Sequence, residues 1–187
     1  MSSVLALLRR DHENLERLLR LFEGELDRVE RAEAPDYDVM ADVLDYCANF
    51  PDRYHHPLED RVLAVLSRRD PDAVAPVGDL DALHAALAAQ TQAVLDMVRQ
   101  ARQETSVPRD ALLKSARDFV RSYRDHMASE DEHFFPAAEK SLTDQDWTEI
   151  EASWMSPFDP VFGGRTDAHY RRLRRELLAL SDPAKDG

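Results

Sequence analysis

The segment Tyr54-His55-His56-Pro57-Leu58-Glu59-Asp60 sets an imidazole and a carboxylate four residues apart, at His55 and Glu59. Four residues are a little over one turn of an α-helix, so both side chains share a face and can reach one centre. The same spacing returns at Asp125-His126-Met127-Ala128-Ser129-Glu130, and a lone histidine, His12 or His84, precedes each pair. His12, His55 and Glu59 thus reappear as His84, His126 and Glu130 after 72, 71 and 71 residues, so that one half of the chain echoes the other.

Around these residues the apolar positions recur at helical spacing. From about Ser3 to Arg31 the stripe is Leu5, Leu8, Leu15, Leu19, Phe22, Leu26 and Val29, with His12 in its gap. Ala34-Pro35-Asp36 is a break, after which Met40, Leu44, Cys47, Leu58, Val62 and Leu66 carry a second helix to about Arg69, with His55 on it. Pro51 and Pro57 each remove a backbone hydrogen bond, which predicts that this helix bends or splits. A loop from Asp70 to Gly78 leads to a third helix, marked by Leu80, Leu87, Thr91, Val94 and Val98, carrying His84 and ending near Glu104. Ser106-Val107-Pro108 opens the fourth, on which Leu112, Ala116, Phe119, Tyr123 and Ala137 run with His126 and Glu130 to about Lys140. The expectation is an all-α fold: an up-down-up-down antiparallel four-helix bundle over residues 1–141. Residues 142–187 read as a C-terminal helical extension packed on the bundle, with a turn around Trp147 and Trp154, a loop from Pro157 to Gly164 and a last helix from about Asp167 to Leu180.

Helical rise sets the level of each group. Measured from the inter-helix breaks, His12 and His55 lie roughly 32 and 27 Å up their helices, and His84 and His126 roughly 32 and 26 Å. An antiparallel bundle then brings all six groups to one interior layer. Each ionised carboxylate in a dry core costs several kcal/mol unless it is paired, and cations remove that cost. Imidazole and carboxylate donors suit iron, zinc or another divalent transition metal, and shared carboxylates make a dinuclear centre. In the simplest division His12 and His55 hold one ion, His84 and His126 the other, and Glu59 and Glu130 join them. Each ion has four protein donors, a bridging oxide or hydroxide makes five, and one position on each is left for a small ligand.

Composition narrows the function classes. Of 187 residues, 43% are hydrophobic and 33% charged, with only 5 Gly, which favours a soluble helical protein. A net charge of −13 argues against nucleic acid and anionic membrane as partners. No apolar run approaches a membrane span, and the single Cys47 requires no oxidising compartment, so a cytoplasmic setting is expected. The oligomeric state is left open.

The segment Tyr54 to Asp60, together with Asp125-His126-Met127-Ala128-Ser129-Glu130-Asp131-Glu132-His133-Phe134-Phe135-Pro136, resembles the hemerythrin-like, cation-binding HHE domain family. Asp11-His12-Glu13 fits its opening motif, the resemblance covers about residues 3 to 140, and Asp146-Trp147 with Phe162-Gly163 resembles the tail of bacterial members. What it implies is a non-haem di-iron centre, two iron ions with an oxo or hydroxo bridge, ligated by His12, His55, Glu59, His84, His126 and Glu130. Members are linked to oxygen binding, iron or oxygen sensing, and handling of nitric oxide or peroxide. The expected function is therefore binding or sensing of a small diatomic ligand, dioxygen or nitric oxide, or a part in iron and oxygen homeostasis. A di-iron oxidoreductase acting on peroxide or nitric oxide is the alternative, and a metal-free helical signalling module with one exposed histidine a third. The chain departs from oxygen-carrying hemerythrin where Ala88 follows His84 in place of a second histidine, and where Glu130 stands four residues after His126 instead of an aspartate five residues on.

Neighbouring groups receive plainer readings. His56 is expected to face solvent or support a ligand, Asp60 and Asp131 to be solvated or to orient a histidine, and His133 to pack at the bundle end. Glu16 is expected to pair with a nearby arginine, His169 to lie on the surface, and Tyr54, Tyr123 and Cys47 to pack in the core.

Overall fold

Ser2 caps the first helix, α1 (Ser3–Glu30), its hydroxyl accepting the Val4 N–H, and the apolar stripe then holds for the full length of the helix. The computed structural model describes residues 2–103, 107–154, 159–164 and 166–180. After α1 the chain reverses through Ala32, a left-handed residue at φ 58°, and Asp36 caps α2 (Tyr37–Phe50) by accepting the N–H groups of Asp38 and Val39.

Neither proline splits the helix that follows. From Pro51 to His55 the backbone widens into a π turn, in which the His56 N–H reaches back to the Pro51 carbonyl, and α3 (His56–Arg69) continues without a break. Pro57 follows directly in the first turn of α3, where the widened backbone accommodates its ring. A single turn, α4 (Pro71–Val74), interrupts the expected loop, and Gly78 at φ 78° precedes the Asp79 cap of α5 (Leu80–Arg102). Helix α6 (Arg109–Ser129) runs into a second π turn, Glu130–Phe134, and on into α7 (Phe135–Ser141), again with a proline, Pro136, two residues past the π turn. The sequence echo is thus a structural echo as well.

The described residues are helical or irregular, with no strand among them. Beyond α7, a reciprocal cap between Thr143 and Asp146 starts α8 (Asp144–Ala152), and α9 (Arg171–Leu180) begins later than the expected Asp167. The expected limits at Glu104, Ser106 and Pro157 lie outside the described residues.

Two apolar clusters make the core. One gathers Leu15, Leu19, Phe22, Phe50, Leu87, Phe119 and Tyr123; the other gathers Leu5, Leu8, Leu58, Leu80, Phe134 and Phe135. Every long helical segment passes from one cluster to the other. It does so at His12 in α1, at His55 between Phe50 and Leu58, at His84 between Leu80 and Leu87, and at His126 and Glu130 between Tyr123 and Phe134. Trp147 and Ile150 of α8 close the second cluster, while Leu173 and Leu177 of α9 join the first. Asp146 accepts a bidentate pair from Arg69 at 2.9 Å, which fixes α8 to the end of α3, and Arg172 pairs with Asp38 at 2.6 Å. The Arg69 guanidinium holds the Asp146 carboxyl below the usual carboxylate range.

Candidate metal centre

The six groups singled out by the repeat meet between the two apolar clusters. His12, His55, His84 and His126 are between 2% and 8% exposed, Glu59 is fully enclosed and Glu130 is 1% exposed. The Nε2 atoms of His12 and His55 are 3.2 Å apart. Each glutamate turns one oxygen to each histidine pair. Glu59 has Oε1 at 3.1 Å from His55 Nε2 and Oε2 at 3.4 Å from His84 Nε2. Glu130 has Oε2 at 3.2 Å from His12 Nε2 and Oε1 at 3.2 Å from His126 Nε2 and 3.6 Å from His84 Nε2.

These spacings test whether the donors fit metal ions. Two donors at right angles, each about 2.1 Å from an ion, are about 3 Å apart, close to what is seen. Although they approach one another, both oxygens of Glu59 and of Glu130, His84 Nε2 and His126 Nε2 make no aligned hydrogen bond. Buried polar atoms without partners call for an explanation. Atoms that converge without pointing at one another are aimed at shared points between them, which is the arrangement cations require. Donor atoms from His12, His55, Glu59 and Glu130 lie within 4.8 Å of one another, and those of His56, His84 and His126 do too. The donor set fits divalent transition ions.

The matching family profile is the hemerythrin HHE cation binding domain, over residues 3–138. The chain belongs to that family. No curated protein and no solved structure is similar enough to the chain to count as a match. Membership of the hemerythrin HHE family implies cation binding, and the buried histidine and glutamate groups of this HHE domain are able to hold a metal.

Around the centre of this HHE domain, carboxylates orient the imidazoles. Asp131 accepts from His12 Nδ1 at 3.2 Å, as expected of a histidine-orienting group, whereas Asp60 is exposed. Asp11 stands 3.5 Å from His55 Nδ1, a role that the sequence reading did not assign although Asp11 adjoins His12. Phe135 stacks on the His12 ring with centroids 5.2 Å apart. The expectation for His56 is corrected in part. It is only 7% exposed, facing inward against His84 instead of toward solvent. His133 is also corrected: it is exposed and does not pack at the bundle end, because the π turn rotates it outward while Phe134 fills that place. Glu16 pairs with Arg20 at 2.8 Å and Arg124 at 2.9 Å, His169 lies on the surface, and Tyr123 and Cys47 are buried, all as expected. Tyr54 packs half-buried against the larger cluster.

Protons take the place of cations in the metal-free protein. Burial opposes a charge on His12, but Asp131 and Glu130 outweigh it and raise its pKa. Burial opposes it at His55 too, where Glu59 and Asp11 prevail and carry the pKa well above normal. His84 is likewise opposed by burial and lifted by Glu130 and Glu59, to about 9, while burial drives His126 down to about 4. Glu59 stays ionised well below its ordinary range, because His55 and His84 overcome the cost of its burial. Glu130 is lowered too, His12 and His84 overcoming both burial and the nearby charge of Glu59. Two buried carboxylates are therefore balanced by three raised imidazoles, a charge pattern that cations can replace.

Proposed function

We propose that this chain is a non-haem di-iron protein in which His12 and His55 hold one ion, His84 and His126 the other, and Glu59 and Glu130 bridge both. The observation that carries this reading is the split of each glutamate, one oxygen toward each histidine pair. Iron follows from the family, and zinc or another divalent ion suits the same donors. An oxo or hydroxo bridge between the ions completes the proposed centre. The framework we assign is an up-down-up-down antiparallel bundle over residues 1–141. In support, the four long segments pass between the two apolar clusters in alternating order. We assign residues 142–187 to an extension, of which α8 and α9 are braced on the bundle through the pairs of Arg69 with Asp146 and Arg172 with Asp38.

When bound, two iron ions supply redox electrons and an open coordination position to a small diatomic ligand such as dioxygen or nitric oxide. The chain does the rest. Asp131 and Asp11 hold the imidazoles of His12 and His55 with Nε2 inward, and the apolar clusters keep bulk water from the layer. A surface cavity of about 370 Å³ between α5 and α6, lined by Leu83, Leu87, Ser122 and His126, reaches one imidazole of this layer. No helix among the described residues is long and apolar enough to cross a membrane, and a cytoplasmic site of action belongs to this proposal. The burial of His12, His55, His84 and His126 in one layer with two carboxylates favours metal binding over a metal-free signalling module.

Anaerobic metal analysis of the purified protein tests the reading, with about two iron atoms per chain expected. A folded chain that retains less than one ion under excess ferrous iron ends it. Mixing the loaded protein with dioxygen or nitric oxide then separates the roles. A reversible spectral change supports binding or sensing, and steady consumption of peroxide or nitric oxide supports the oxidoreductase.

A further inference from the structure

We infer that His56 is a seventh protein ligand, donated to the ion held by His84 and His126, so that the two ions are unequal. The inference rests on the di-metal reading above and deepens it. Its starting point is a shortage: Ala88 stands one turn after His84, so α5 supplies a single imidazole, and the repeat gives each ion two. His56 lies where a further one is needed. It is buried, and its donor atom falls within 4.8 Å of those of both His84 and His126; in the metal-free protein its ring is stacked on that of His84 at 3.8 Å, from which it must turn for both imidazoles to point at one ion.

Two neighbouring histidines face inward. Successive residues of an α-helix point about 100° apart, and a wide buried face takes both, as it does at Asp11-His12 and Leu18-Leu19 of α1. His55 closes the π turn Pro51–His55 and His56 follows it, His55 at 2% and His56 at 7% exposure. Functional sites are where such turns concentrate.

A parallel lies in the surroundings of the ring, shared with His12 and His55 but not with His126, whose Nδ1 has no partner. Ligating histidines almost always donate their other ring N–H to a carboxylate or carbonyl. His12 does this with Asp131 and His55 with Asp11, and His56 repeats it with Asp52, whose Oδ1 lies 3.1 Å from Nδ1. Asp52 therefore fixes the proton on Nδ1 and leaves Nε2 as the donor. His133, the other histidine near the centre, is exposed and belongs to neither group of donor atoms. With His56, the ion at His84 and His126 has five protein donors and the ion at His12 and His55 has four. The open position then belongs to the latter, beside Phe135.

The test uses the full chain and ferrous ion under anaerobic conditions, with a competing chelator to resolve the two affinities and Mössbauer spectra of the iron-57 form to report each environment. The unsubstituted protein is expected to bind two ions unequally and to show two distinct iron signals. His56→Phe keeps a ring to stack on His84 but removes the donor, so it is expected to weaken one ion roughly tenfold or more and to alter one signal only. His56→Gly is expected to regain that ion when imidazole is added, a rescue that a packing role does not produce. His56→Gln, closer in size and polarity, guards against loss of fold. Affinities and spectra unchanged in His56→Phe overturn the inference while the di-metal reading stands, as does equal weakening of both ions in folded His56→Phe and His56→Gln. An unsubstituted protein that binds no iron overturns both together.

Discussion

At the scale of single residues, the proposed centre is a small set of charges that would titrate against metal. Bound cations must displace the protons that His12, His55 and His84 hold in the metal-free protein. Loading is therefore expected to release protons, read with a pH indicator in weak buffer, and affinity should climb with pH as the His84 imidazole titrates near 9. Stability of the metal-free protein follows with its own sign. A histidine with a raised folded pKa contributes fully below its unfolded value of 6.5, and the contribution of His84 is lost as pH rises through about 9. His126, lowered to about 4, contributes above 6.5 and loses that as pH falls toward 4. Urea midpoints of the chelated protein should thus be highest near pH 6.5 and fall on both sides; a midpoint still rising between pH 7 and 9 contradicts this charge assignment. Glu59→Gln should weaken both ions at once, because each glutamate faces both histidine pairs, whereas His12→Ala should mainly weaken one. The six repeat residues were legible because a four-residue step on a helix fixes a face. Asp11, Asp52 and the inward turn of His56 were not, since a carboxylate's partner and the width of a buried face depend on packing across the bundle.

At the scale of elements, the long helices were legible from apolar spacing alone, for burial of a stripe is what holds them. What escaped were irregularities set by a few backbone bonds: the two π turns, the single turn at Pro71–Val74 and the late start of α9. The prolines signalled a disturbance at the right places, but the chain resolved it by widening the helix instead of breaking it. Helix α8 illustrates how one residue can join two elements. Asp146 completes the Thr143 cap and receives Arg69 of α3. Thr143→Ala is expected to cost about 1 kcal/mol, the usual worth of an N-cap. Asp146→Ala should cost more, roughly 2 kcal/mol, because cap and cross-link go together. Chemical denaturation of both variants checks the order; equal losses mean that the Arg69 link contributes nothing. In the loop before α9, Gly163 has no room for a side chain, since a Cβ there comes 2.4 Å from the Asp159 carbonyl oxygen.

At the scale of the whole molecule, the core is two apolar bodies divided by one polar layer. That division explains why the candidate layer shows in the sequence: each long segment carries a histidine where its apolar stripe changes cluster. It also makes the layer the weakest plane of the metal-free fold, since apolar contact is interrupted in all four segments at one level. Each ion that binds only the folded chain adds about 2.7 kcal/mol when present at a hundredfold excess over its dissociation constant. For a chain of this length, 1 kcal/mol moves the melting temperature by about 2 to 4 °C. Two ions are therefore expected to raise the melting temperature by roughly 10 to 20 °C over the chelated protein, with a smaller gain in Glu59→Gln. Hydrogen exchange should localise the effect, the amides flanking His12, His55, His84 and His126 gaining the most protection and those of α9 the least. A uniform gain along the chain, or none, means that the ions do not join the two halves of the core.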